Sequence, residues 1–157
     1  MTLPDIRSLV PHSGAMVLLD RAISVGEESL CAEVLIRPDT LFCDGTGVGA
    51  WVGVEYMAQA VAAFAGYVAH VRGEAVKVGF LLGSRRYEAR CSSFPIGSKL
   101  HVHVQRALQG ENGLGAFECR IDVAGDPGVA AVATASITVF QPCLLYTSDA
   151  ADDTPCV

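Results

Sequence analysis

From Gly49 to Val71 the chain reads GAWVGVEYMAQAVAAFAGYVAHV, apolar at almost every position, with one carboxylate, Glu55, near its start. This pattern predicts a helix that is hydrophobic all round, and such a helix belongs inside something. At 1.5 Å per residue it would run about 35 Å, the breadth of a small domain. Its many Ala and Gly positions let a surrounding layer approach the helix backbone closely. Roughly 20 apolar residues also suffice to cross a bilayer. Glu55, Gln59 and His70 count against a membrane span, as does the alternating pattern of the remaining chain. The expectation is a buried core helix, within which Glu55 is costly unless paired, protonated or at work.

Elsewhere the period shortens. Pro4 to Val10 predicts a short helical turn ended by Pro11. Met16–Val25 and Ser29–Arg37 are alternating runs on either side of Gly26-Glu-Glu28, a hairpin signal. Pro38 to Val48 reads as a loop leading into the long helix. After Gly73 come four strand-like runs, Val76–Ala89, Lys99–Leu108, Gly115–Val123 and Val129–Phe140, separated by Pro95-Ile-Gly97, Gly110-Glu-Asn-Gly113 and Gly125-Asp-Pro-Gly128. One long helix and about six strands, the later ones in meander order, predict an α+β fold. In it an antiparallel sheet wraps a central helix, the hotdog arrangement.

The end of the chain has a different origin on this reading. Cys143 to Asp152 is what TGTCTCTTATACACATCTGACGCTGCCGAC encodes, a string that resembles a transposase-type sequencing-library adapter, and Asp153 to Val157 fits its continuation. Residues 143–157 are therefore expected to be translated adapter, not native, and residues 1–142 a single hotdog domain. Three of the 17 acidic residues lie in that tail, which leaves 14 against 11 Lys and Arg. Such an acidic balance is no nucleic-acid-binding profile. Cys31, Cys43, Cys91 and Cys119 remain, without a CxxC pair or a secretion signal at Met1, and read as thiols of a cytoplasmic protein.

Several motifs in order resemble one family. Leu9-Val-Pro-His12 with Met16-Val-Leu-Leu-Asp-Arg21, then Glu55-Tyr-Met-Ala-Gln59, then Phe94-Pro-Ile-Gly97-Ser-Lys-Leu, are similar to the 3-hydroxyacyl-acyl-carrier-protein dehydratases. The nearer match is a divergent branch associated with aryl-polyene-type pigment synthesis, which resembles PHSGAMVLLDR, GAWVGVEYMAQ and GFLLGSRRYE. The resemblance covers nearly all of residues 4–142 and implies thioester substrates. It also exposes a difference. The mainstream dehydratases carry a base His in a Gly-His-Phe-Pro loop ahead of the helix, where this chain reads Thr40-Leu-Phe-Cys-Asp44, and no histidine lies between Ser13 and Ala69.

Dehydration of a 3-hydroxyacyl thioester needs a base for the Cα proton and an acid for the departing hydroxyl. Glu55 suits the acid or hydroxyl-binding role. His12, in a tight turn after Pro11, is the candidate substitute base, with a capping or packing role as the alternative. Amides at the helix start would stabilise the enolate oxygen, and Gly47, Gly49 and Gly53 would let the thioester approach them. Gln59 completes the motif and is expected to bind substrate. His70 suits the helix C-terminus, and His101 and His103 share one solvated sheet face without a third metal ligand. Asp20-Arg21 is expected to pin a strand end.

Arg85 and Arg86, with Arg72, Lys77 and Arg90, are the densest positive stretch of an acidic chain. A local basic patch would steer an acidic acyl carrier protein bearing its acyl group on phosphopantetheine, with no resident cofactor or metal. A homodimer, or a heterodimer with a second hotdog dehydratase, is the expected assembly. Two other activities fit the same residues: a non-catalytic partner subunit of an active dehydratase, and a hotdog acyl thioesterase.

Overall fold

The computed structural model describes residues 3–11, 14–73, 80–110, 112–125 and 131–140. Helix α1 (Ile6–Leu9) starts at Asp5, whose carboxylate accepts from Arg7 N. Strands β1 (Arg21–Val25) and β2 (Ser29–Leu35) form the expected hairpin. After a short β3 (Gly47–Gly49) and a 3₁₀ turn at Ala50–Val52 comes helix α2 (Gly53–Val71). Then follow β4 (Phe80–Ala89), β5 (Ser93–Pro95), β6 (Lys99–Gln109), β7 (Leu114–Val123) and β8 (Ala133–Phe140). Six strands form one antiparallel sheet in the order β1-β2-β6-β7-β8-β4, while β3 pairs with β5 apart from it. This is the predicted α+β hotdog architecture.

The sheet closes on α2 because its strands alternate. Leu30, Ala32, Val34, Leu100, Val102, Val104, Ile121, Ala133, Ala135 and Ile137 are buried, and with Tyr56, Met57, Ala60 and Phe64 of the helix they form the core. The helix has the length and composition of a membrane span, yet 61% of its apolar window is buried within the protein. Its close approach to a neighbour is realised at Gly66, where a Cβ would collide with the Leu9 carbonyl of α1.

Three elements differ from expectation. The first strand begins at Arg21 rather than Met16, because a helix side chain takes the backbone groups of Met16 and Leu18 before a strand can. The loop 38–48 ends in β3, and the stretch expected to be a turn at Pro95 begins in β5. Both strands are three residues long, too short for alternation to show. Gly47 permits the pairing, since a Cβ there would strike the Phe94 carbonyl. Glu33, on the sheet face away from the helix, is a buried carboxylate, 4% exposed, that the alternation alone did not reveal.

Candidate active site

Of the residues picked out by the sequence, Gly49, Gly53 and Glu55 stand at the start of α2. Neither Gly49 nor Val52 provides a side-chain cap, so no capping side chain occupies the positive end of the helix dipole. Ala50 N donates to Ser92 O at 3.0 Å. Glu55 stands in the first turn. It is exposed, which corrects the expectation of a buried carboxylate. Neighbouring helix positions point about 100° apart, and Tyr56, fully buried, takes the inward direction.

Beside Glu55 stands an aromatic pair that sequence reasoning missed. Trp51, 66% exposed, and Phe42, 46% exposed, meet edge to face with centroids 5.5 Å apart. Trp51 lies in the 3₁₀ turn four positions before Glu55. Phe42 has φ 73°, in the left-handed region that costs a non-glycine residue about 1–2 kcal/mol. The loop that carries it is folded by Asp44, whose Oδ1 accepts from Thr46 N at 3.1 Å and Gly47 N at 3.2 Å. Those bonds hold the Asp44 carboxyl below its usual range. The helix entry thus carries an exposed carboxylate, two exposed rings and no side-chain cap.

Gly49 and Gly53 do other work than the expected thioester approach. A Cβ at Gly49 would strike the Trp51 indole, and one at Gly53 the Tyr87 hydroxyl. Tyr87 reaches in from β4 and donates to the Ala50 carbonyl, and burial pushes its phenol up to about 12. The edge strand is thereby fastened to the helix entry. Gln59 is also corrected. It is 1% exposed, its Oε1 accepts from Leu18 N at 2.9 Å, and its Nε2 donates to Met16 O at 2.7 Å. Both ends of the amide hold the segment before β1, and the side chain is buried away from the surface.

His12 lies outside the described residues, as do Lys77 and the side chain of Arg85, whose backbone pairs with Ser136. Arg86 is exposed with φ 56°, at a bulge between Arg85 and Glu88 on the edge strand. Arg72 is the C-cap of α2, almost 30 Å by helix rise from the entry where Tyr87 anchors β4, so it does not join Arg86 in one patch. His70 is exposed in the last helical turn, where the dipole favours a cation.

The outer sheet face is more structured than a solvated surface. Arg21 Nε meets Glu33 Oε1 at 2.9 Å and His101 Nε2 meets Oε2 at 3.2 Å. The Arg21 hydrogen bond, helped by His101, holds the Glu33 carboxyl below its usual range against the opposing effect of burial. His103 Nε2 lies 3.1 Å from Asp122 Oδ2. Burial, then the Arg120 charge, lower its imidazole pKa. Asp20 accepts from Leu35 N at 2.6 Å and pairs with Arg37 at 2.9 Å, pinning the strand end as expected. No group of three or more metal-ligating side chains occurs among the described residues.

Comparison with known proteins agrees with this architecture. The dehydratase heterocomplex ApeI:P from Xenorhabdus doucetiae contains a chain that superposes with TM-score 0.81 at 26% identity, over 97% of this chain and 100% of that one. Zebra fish thioesterase superfamily member 2 matches at TM-score 0.64 and 10% identity, over 88% of this chain and 93% of its own. A hypothetical thioesterase with coenzyme A from Streptococcus pneumoniae matches at 0.59 and 10%, over 77% and 84%. These two share the fold. No curated protein matches. The profile of the ApeP-like dehydratases matches residues 4–150, and the chain belongs to that family, as a hotdog dehydratase-like protein.

Proposed function

We propose that the chain acts on 3-hydroxyacyl thioesters, delivered on the phosphopantetheine arm of an acyl carrier protein, as one half of a heterodimer with a second hotdog dehydratase in aryl-polyene-type synthesis. The observation that carries this is Glu55, exposed at an uncapped helix start beside Trp51 and Phe42. On this reading one chain supplies an acid and an exposed aromatic pair, and a partner chain completes the site. The ten-residue β4 is an edge of the sheet, an open ladder of the kind a second subunit can extend. The dehydratase complex from Xenorhabdus supports a hetero-pairing of this sort.

Chemically, Glu55 protonates the departing 3-hydroxyl, and amides at the α2 start take the negative charge that develops on the thioester oxygen. The loop Thr40–Asp44 offers no histidine as base, so the Cα proton goes to His12 or to a group of the partner. The reaction is acid–base elimination that needs no resident cofactor, and we assign it to the cytoplasm. Arg86 on the bulged edge faces the approach of an acidic carrier.

Mass analysis of a 3-hydroxyacyl carrier protein after incubation, with the chain alone and with a co-encoded hotdog partner, tests this. Loss of one water's mass only with the partner is the expected result. Free acid would make the chain a thioesterase, and full turnover by the partner without this chain would make it a non-catalytic companion.

A further inference from the structure

Tyr56 follows Glu55 and is fully buried, its ring 6.1 Å from that of Phe94. Its hydroxyl has no hydrogen-bond partner among the described residues. Buried hydroxyls in folded proteins are almost always paired, so each exception asks for a reason. Packing does not supply one, because phenylalanine would fill the same space without leaving a polar atom unsatisfied. Tyr87 makes the contrast, since its hydroxyl has the Ala50 carbonyl. The ionisable groups that act on Tyr56 are Asp20, Cys43 and Tyr87. Cys43 belongs to the loop that leads into β3 and the helix. Burial keeps the Tyr56 phenol protonated far above neutral pH, so it can donate a hydrogen bond but cannot abstract a proton.

An acyl group brought in on a phosphopantetheine arm keeps its thioester nearest the surface, while atoms further along the chain go deeper. Glu55 is exposed and Tyr56 lies one residue on and inward. We infer that the Tyr56 hydroxyl is the donor that recognises the 3-hydroxyl oxygen of the bound thioester, reached when the loop from Arg37 to Gly47 gives way. The inference rests on the thioester reading above and makes Tyr56 a specificity-determining residue, with Glu55 as the proton source.

The test is Tyr56→Phe in the complex with its hotdog partner, assayed with 3-hydroxyacyl and saturated acyl pantetheine thioesters. Turnover should fall about tenfold or more. The preference for the hydroxylated over the saturated ligand should collapse, while the pH profile keeps its shape. The melting temperature should hold or rise, since an unpaired hydroxyl is removed. A drop of more than about 4 °C would show that the hydroxyl has a structural partner, and undiminished turnover with retained preference would show that it does not meet substrate. Either result overturns the inference alone. A wild-type complex that neither dehydrates nor binds the hydroxylated thioester overturns the functional reading, and this one with it.

Discussion

Replacing Glu55 by Gln keeps the side chain's shape and reach but removes its capacity to exchange a proton. Because Glu55 is exposed at the helix entry, stability should change by less than about 0.5 kcal/mol. Turnover of the complex should fall by about a hundredfold or more, some 2–4 kcal/mol of transition-state stabilisation. Normal turnover in steady-state assays would end the acid assignment. Glu55 and Gln59 were both legible as the polar positions of an apolar helix. Their directions were not, because a helix hydrophobic on every side has no face from which to orient them. The structure turns Gln59 inward to bond the backbone of Met16 and Leu18. Glu33 was hidden for a related reason: its partners Arg21 and His101 lie 12 and 68 positions away, and become neighbours only through strand register.

At the scale of elements, Gly66 separates intrinsic propensity from packing. Gly66→Ala should favour an isolated helix by about 1 kcal/mol. In this fold the added Cβ would collide with the Leu9 carbonyl of α1, and backbone cannot yield as a flexible side chain does. Denaturant unfolding should therefore show a net loss of more than about 1 kcal/mol; a gain would mean that α1 packs against α2 less tightly than the structure has it. The long helix, the hairpin and the β6-β7-β8 meander were legible because each runs for several periods of its own pattern, whereas β4, expected within the meander, pairs with β8 at the far edge. Strands β3 and β5 were not, since three residues carry no period and their pairing depends on Gly47. The bulge in β4 was equally silent, for a positive φ at Arg86 is dictated by pairing with β8 rather than by the residue.

The molecule as a whole should weaken in acid by two steps of the same sign. Glu33 has a folded pKa below its ordinary 4.5, so its stabilisation is present above 4.5 and is lost as pH falls through the folded value. His103 has a folded pKa below its ordinary 6.5, so folding opposes its protonation and stability declines as pH falls from 6.5 towards the folded value. Urea midpoints measured from pH 7 downward should drop first below 6.5 and again below 4.5, and Glu33→Gln should shrink the second step, leaving the part contributed by Asp44, which is also held below its usual range. We propose that residues 143–157 contribute nothing to this stability. Their deletion should leave the melting temperature unchanged, while a fall would show that the segment packs, as a family match running to residue 150 allows. The sheet order has one more consequence, in time rather than space. Strand β4 pairs with β8, made roughly fifty residues later, so the sheet cannot close until almost the whole chain is synthesised. At roughly 5–20 residues per second, the apolar helix waits several seconds for its cover. That interval is when a nascent chain of this fold depends on chaperones, or on a partner already made.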